Sequence, residues 1–296
     1  MQTLEKLRRK IDVAEELQTI VRTMKTLAMV NIRHYEQAVV SLADYNRTIE
    51  MGLQVVLRSE AGEVLTRPLP TDGSLGAIIF GSDQGLCGRF NEQIAAYALA
   101  TMDTLAPQPI HRLVMSVGGR GRARLEEARQ PVDIFFPCPT SLSGITPLVQ
   151  EILLQIEAWQ SQQEISRIML FYNRPRAGLS YHPQTVHLLP LNREWLQHLA
   201  AKPWPSRVLP TYSMNREQLF SALIRQYLFV SLYRAFAESA ASENASRLTS
   251  LQAAERNIEE SLDDFQAQYH HQRQDSITAE ILDIVAGFEA LVGERK

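Results

Sequence analysis

Residues 212–296 read YSMNREQLFSALIRQYLFVSLYRAFAESAASENASRLTSLQAAERNIEESLDDFQAQYHHQRQDSITAEILDIVAGFEALVGERK, with no proline and with glycine only at Gly287 and Gly293, close to the end. Apolar residues recur through this stretch at helical spacing. As one helix it would run about 120 Å at about 1.5 Å per residue, several times the length of an ordinary globular helix. Such an element needs a partner along its length, and residues 1–57 offer one. There Leu4, Leu7, Ile11, Ala14, Val21, Met24, Ala28, Tyr35, Ala38, Leu42, Tyr45, Ile49, Leu53 and Val56 keep spacings of three and four. The pattern predicts an antiparallel coiled coil made by the two ends of one chain, with a globular head between them.

Within the head, short apolar runs alternate with amphipathic ones. Leu75–Phe80, Arg112–Val117, Val132–Phe136 and Arg167–Tyr172 read as strands, and Thr185–Leu189 as an edge strand with Pro183 and Pro190 just outside it. Phe90–Leu105, Gly119–Arg129 and Leu142–Gln160 read as helices between them, and Pro190–Pro210 as a loop returning to the long helix. The alternation predicts an α/β head with a small, mostly parallel, Rossmann-like sheet. The expected boundaries are 1–57 for the first shaft helix, 58–212 for the head and 213–296 for the second, single from about position 271.

At 296 residues and 45% hydrophobic content the chain can bury a good-sized core beside an extended element. Cys87 and Cys138 have neither metal-ligand nor disulfide spacing, which fits a reducing compartment. The N-terminus carries acids in an amphipathic pattern, unlike a signal or transit peptide, and no apolar window is long enough to span a bilayer. Residues 1–58 hold nine basic and seven acidic side chains, and 213–296 hold eight and thirteen. The opposite net signs favour pairing of the two helices. Neither segment concentrates enough Lys and Arg for a nucleic-acid surface.

Two places invite a chemical reading. Gly81-Ser82-Asp83-Gln84-Gly85-Leu86-Cys87-Gly88 lies between a strand and a helix, where phosphate sites form. Its glycine spacing is not the dinucleotide fingerprint, and it lacks the terminal lysine of a P-loop. Tight turning, positive φ and close helix–strand packing explain the glycines better, here and at Gly118-Gly119-Arg120-Gly121. Among histidines, His270 and His271 are adjacent on a helix and cannot face one ligand, while His111, His182, His187 and His198 have no spaced carboxylate or cysteine set. No metalloprotease, nucleophile-elbow or paired-carboxylate pattern occurs. Neither a catalytic site, nor a metal, nor a cofactor is expected.

Four segments together carry a resemblance. GSDQGLCGRFN at Gly81–Asn91 is similar to the S-D-R-G-L-C-G-x-x-N signature of the γ subunits of rotary F-type ATP synthases. Arg273-Gln274-Asp275-Ser276-Ile277-Thr278, followed by Glu280-Ile281 and Ile284-Val285-Ala286-Gly287, resembles that family's C-terminal motif. Ile20–Lys25 and Ser239–Leu248 match two further stretches, so the resemblance covers both helices and the head. Departures at Gln84, Arg89 and His270-His271-Gln272 suggest a divergent bacterial branch, a second synthase beside a housekeeping one. The cysteine-bearing regulatory insertion of chloroplast members is missing.

The resemblance implies a mechanical role. The terminal helices would form the rotor shaft inside a ring of α and β subunits, and the head a foot on the ε subunit and the membrane c ring. Catalysis would stay on β, and the chain would be peripheral on the cytoplasmic side of a bacterial membrane. It further implies contacts with the ring at Met24, Lys25, Cys87, Arg247, Arg273, Gln274, Ile277, Thr278, Ile281 and Phe288. Two other classes stand beside this one: a nucleotide-binding α/β protein with coiled-coil extensions, and a coiled-coil adaptor. If the helices pair with equal rise, position n should face roughly 271 minus n. An apolar stripe from Ile277 to Leu291 would then have no helix of this chain over it.

Overall fold

Proline-free sequence with apolar residues every seventh position gives the first element its length. In a computed structural model describing residues 4–59, 74–106, 112–162, 165–208 and 210–293, α1 runs unbroken over Leu4–Ser59. Leu7, Ala14, Val21, Ala28, Tyr35, Ile49 and Val56, each seven or fourteen after the last, are its buried stripe. A strict seven-residue repeat keeps one face turned to a partner helix. Its partner is the last helix, which spans Arg216–Gly293.

Between them lie β1 (Ser74–Phe80), α2 (Phe90–Leu105), β2 (Arg112–Val117), α3 (Gly119–Glu127), β3 (Ile134–Phe136), α4 (Ile145–Gln162, entered by a 3₁₀ turn at Leu142–Gly144), β4 (Ile165–Pro175), β5 (Tyr181–Leu189) and α5 (Arg193–Ala201). The long C-terminal helix is α6. The sheet order is β3-β2-β1-β4-β5. The first four strands are mutually parallel and β5 runs antiparallel to β4. Residue alternation sorts the two faces. Ile78, Phe80, Met115, Val117, Leu170 and Tyr172 pack with α4 and the inner part of α6, while Ala77, Ile79, Val114, Met169 and Phe171 pack with α2 and α3.

The chain divides into two compact units, Met1–Leu27 with Thr249–Lys296, and Ala28–Leu248. Both long helices contribute to both units, so the sheet's own unit takes in the inner stretches of the shaft helices as well as residues 58–212. In the sheet unit Ile49, Leu53 and Leu57 of α1, Val230 of α6, and Leu196 and Leu199 of α5 form a separate cluster. That cluster corrects the reading of 190–210 as loop. Asn192 caps α5 by accepting a hydrogen bond from the Trp195 amide at 3.2 Å, and two leucines three apart give the helix an apolar face. Pro183 is a second correction. It lies inside β5, opposite Asn173, where an edge strand lets a residue without an N–H face the open side.

In the first unit the bonded pairs establish the antiparallel sense and the register. Gln18 donates to Glu259 at 3.3 Å, Arg22 reaches Glu255 at 3.0 Å and Glu259 at 3.4 Å, and Lys25 reaches Glu255 at 2.5 Å. The simple register rule would put Gln18 opposite position 253 and Arg22 opposite 249, so contacts lie at least six residues further along α6 than expected. In the sheet unit Tyr45 bonds Gln226, where the rule puts it. Part of the offset has a geometric cause: helical side chains lean toward their own N-terminus, so long side chains of antiparallel helices meet at higher numbers than their Cα atoms. The unpaired stretch then begins nearer Ile277 than 271, and every described side chain from Ile277 to Ala286 is exposed.

Candidate functional site: a sheet crevice filled by the terminal helix

In an open α/β sheet the natural ligand crevice lies at the carboxyl ends of the strands where the winding reverses. Here that point is between β1 and β4, because the chain builds outward from β1 through β2 to β3 and then returns to β4 on the other side. The loop Gly81–Gly88 stands at one lip and Asn173–Arg174 at the other. The space between holds α6.

The glycine loop owes its shape to internal bonds. Asp83 accepts from the Gly119 amide at the start of α3 and from the Cys138 amide after β3, both at 2.6 Å. Asn91 accepts from the Ser82 amide at 2.9 Å and donates to the Ser82 hydroxyl at 2.8 Å and to the Cys87 sulfur at 3.5 Å. A Cβ on Gly81 would stand 2.7 Å from the Gly121 Cα, and Gly118 holds φ +98°, so both places require glycine. Burial raises the pKa of the Cys87 thiol, and does so more strongly at Cys138. Thiols held protonated in this way are packed groups rather than nucleophiles.

Three carbonyl oxygens of the loop face α6. Arg247 Nη2 lies 3.4 Å from the Gln84 carbonyl, 3.5 Å from that of Gly85 and 2.6 Å from the Glu243 carboxylate. Ser246 donates to the Cys87 carbonyl at 2.6 Å, and Ser242 to the Asn173 carbonyl at 3.0 Å. Tyr172 donates to Glu238 at 2.9 Å, and Arg234 reaches the same carboxylate at 2.8 Å. A phosphate-binding loop needs free amides aimed into the crevice. This one offers acceptors, and a guanidinium of the same chain fills them. Burial pushes the Glu243 carboxyl upward, against the opposing pull of Arg247.

Sequence reasoning found the glycine loop and the Ser239–Leu248 stretch but not that they meet. The available signal was composition: Ala235–Leu248 is a run of Ala and Ser carrying two Glu, an Asn and an Arg, which suits a helix enclosed on all sides with most of its polar groups bonded. Of the expected ring contacts, Cys87 and Arg247 are buried in this clamp, Arg247 only 6% exposed. Met24 and Lys25 are half-buried beside the Glu255 clasp, and Arg273, Gln274, Ile277, Thr278 and Ile281 are exposed along α6. Phe288 lies among residues whose side chains are not described. Among the described residues no His, Cys, Asp and Glu group could hold a metal, and no described helix is long and apolar enough to cross a membrane.

The sheet unit is a doubly wound α/β fold that grips the inner part of its own C-terminal helix at the ligand crevice. The family model described as ATP synthase matches residues 3–291, and the chain belongs to that family. Relatives of full length are the ATP synthase gamma chains of Anaeromyxobacter dehalogenans strain 2CP-C and Nostoc punctiforme. Each is 26% identical, the alignment covering 98% of this chain and 100% of the relative. Among solved structures it resembles chains of the Euglena gracilis mitochondrial ATP synthase OSCP/F1/c-ring assembly, with TM-score 0.63 and 17% identity over 99% of this chain and 96% of that one. A chain of the Tetrahymena thermophila central stalk and c-ring gives TM-score 0.57 and 19% identity over 79% and 99%. At such identities the structural likeness speaks for the fold.

Proposed function

We propose that this chain is the rotor shaft of an F-type ATP synthase, coupling ion flow through a membrane c ring to ATP synthesis or hydrolysis on the β subunits of an α/β ring. The observation that carries the reading is the filled crevice. A head whose ligand position is taken by its own helix is built to hold a shaft, and catalysis belongs to other chains. An asymmetric shaft acts on three like subunits by contacting them differently, biasing each toward its own conformation.

The exposed apolar residues Ile277, Ile281, Leu282, Ile284 and Val285 support a bearing at the far end of α6, since such a stripe is covered in a working assembly. Met24, Lys25, Arg273, Gln274 and Thr278 are the polar and mixed contacts proposed for the same ring, and the head is proposed to meet the ε subunit and the c ring. The location follows as peripheral, on the cytoplasmic face of a bacterial membrane.

Co-expression with α and β chains tests this directly. A complex that hydrolyses ATP while a bead on the head turns is the expected result. A chain that binds ATP or NAD by itself, or that self-associates through its heptads and leaves the ring empty, would overturn it in favour of the nucleotide-binding or adaptor class.

A further inference from the structure

We propose that the clamp at the sheet crevice is the torsional joint between head and shaft, with Ser242, Ser246 and Arg247 as its positioning residues. The inference rests on the rotor reading and names where in the chain the turning force crosses.

The enclosed segment of α6 presents a problem of grip. Ala235, Ala237, Ala240, Ala241 and Ala245 are all buried, so apart from Phe236, whose ring meets Phe80 edge-on, the apolar surface of this stretch is largely methyl groups with little relief. Apolar packing holds such a surface in its sleeve but is non-directional, and so resists rotation poorly. The polar groups supply direction. Arg234, Glu238, Ser242 and Ser246 follow one another at intervals of four, which puts them on a single ridge of the helix about 18 Å long at 1.5 Å per residue. Three of them reach outside the helix: Glu238 to Tyr172, Ser246 to the Cys87 carbonyl, and Ser242 to the Asn173 carbonyl, its hydroxyl proton shared with the Glu238 carbonyl of α6; Arg234 pairs with Glu238 within the helix. Glu243 and Arg247 form a second row beside it: Arg247 reaches the Gln84 and Gly85 carbonyls, and Glu243 accepts from Arg247 within α6.

The ridge therefore seats on the C-terminal part of β4 and on the loop that follows β1 as a key seats in a slot. Hydrogen bonds fail steeply with angle, so turning α6 against the sheet breaks several at once. Of the carbonyl acceptors outside α6, that of Asn173 lies in β4; the others belong to the Gly81–Gly88 loop, which Asp83 and Asn91 tie to α3, to Cys138 beyond β3 and to α2. The Arg247 Nε is buried without a hydrogen-bond partner, so the guanidinium is held by its outer nitrogens alone and packs against the loop with no water-facing alternative.

The test uses the assembled, membrane-reconstituted complex with the ring immobilised and a bead on the head. The double variant Ser242→Ala, Ser246→Ala is expected to keep ATP hydrolysis near wild type while torsional stiffness falls roughly twofold and ions pumped per ATP decline, because two directional bonds are lost with almost no volume. Ile156→Val, a core change outside the clamp, should leave stiffness unchanged. Arg247→Lys retains a charge for Glu243 but loses the rigid plane that brings Nη2 to both loop carbonyls as well, and should soften the joint less than the double variant; it is also the fallback should the double variant not assemble. Unchanged stiffness and pumping in the clamp variants, or an equal loss in Ile156→Val, overturns the inference. A wild-type complex whose head does not turn overturns the rotor reading first, and this inference with it.

Discussion

One helix, α6, is built to two different specifications along its length. From Ala235 to Leu248 nearly every residue is buried whichever way it points, and from Gln252 to Ala286 most are exposed. The first stretch is small residues with several polar groups bonded to β4 and to the loop after β1; the second is long charged side chains with one seam and a terminal apolar stripe. Helix propensity explains neither difference, since both stretches are good helix formers. What differs is the number of sides on which protein meets the helix. The buried stretch derives its order from packing and directional bonds, whereas the exposed stretch has a partner on one side only and keeps the rest of its surface for other chains.

Matched truncations should break the comparison first if it is wrong. Phe236 is buried edge-on to Phe80, ring centroids 5.5 Å apart, and Phe236→Ala should cost about 3–5 kcal/mol. Phe265, in the other stretch, lies under the Lys10 ammonium at 5.1 Å. Its replacement by alanine should cost about 1 kcal/mol, from a half-exposed contact and a cation–π pair. Chemical denaturation of the two variants reads the difference. Equal losses would mean that the distal stretch is supported as fully as the inner one.

Enlargement sharpens the same contrast. Ala237 is wholly buried and Ala253 is exposed. Ala237→Leu should destabilise by about 1–3 kcal/mol through overpacking, whereas Ala253→Leu should stay within about 0.5 kcal/mol. A tolerated leucine at 237 would show the sleeve to be loose, and would remove the reason for its small residues.

The third comparison is between stability and function. Arg273 is exposed on α6, so Arg273→Ala should leave the denaturation midpoint of the chain unmoved. In the assembled complex it should lower turnover several-fold, since a guanidinium there can bind carboxylates of a neighbouring chain in bidentate fashion. Unchanged turnover and coupling in the complex would return Arg273 to the ordinary surface.

How much of this was legible in the sequence follows the same division. Periodicity alone gave both long helices, and the apolar runs gave the strands β1 and β2 and the helix α2 almost to the residue, because those signals are local. The family resemblance rests on the glycine loop, Ile20–Lys25 of α1 and the two stretches of α6, and the reading of those glycines as packing residues agrees with the 2.7 Å approach at Gly81. The meeting of Arg247 with Gln84 and Gly85 could not be read, since the residues are some 160 apart and neither end alone shows where the crevice opens. α5 was missed because the prolines around it outweighed an Asn cap and two leucines. The register was misplaced toward the N-terminus of α1, in part because a rule counted on Cα positions omits the lean of the side chains that make the contacts, while the same rule holds at Tyr45 and Gln226.

The smallest expected effect concerns the clasp in the first unit. Glu255 receives hydrogen bonds from Lys25 and from Arg22, in that order of importance, and they hold its carboxyl below the ordinary value of 4.5. Lys25 and Gln18 occupy seam positions where an apolar residue would pack, so these polar bonds favour one register at some cost in stability. With its folded pKa depressed, Glu255 contributes stability that is present in full above about pH 4.5 and is lost as pH falls through the lower folded value. The clasp is open to solvent, so salt near 1 M should weaken it as well. Glu255→Gln should therefore unfold slightly earlier than wild type at pH 7 and low salt, with the two melting curves converging below pH 4.5 and again at high salt. A gap that stayed constant from pH 6 to 3.5 would show that the carboxylate charge contributes nothing, and would leave the register of the distal helices to Leu7, Ala14 and Val21 alone.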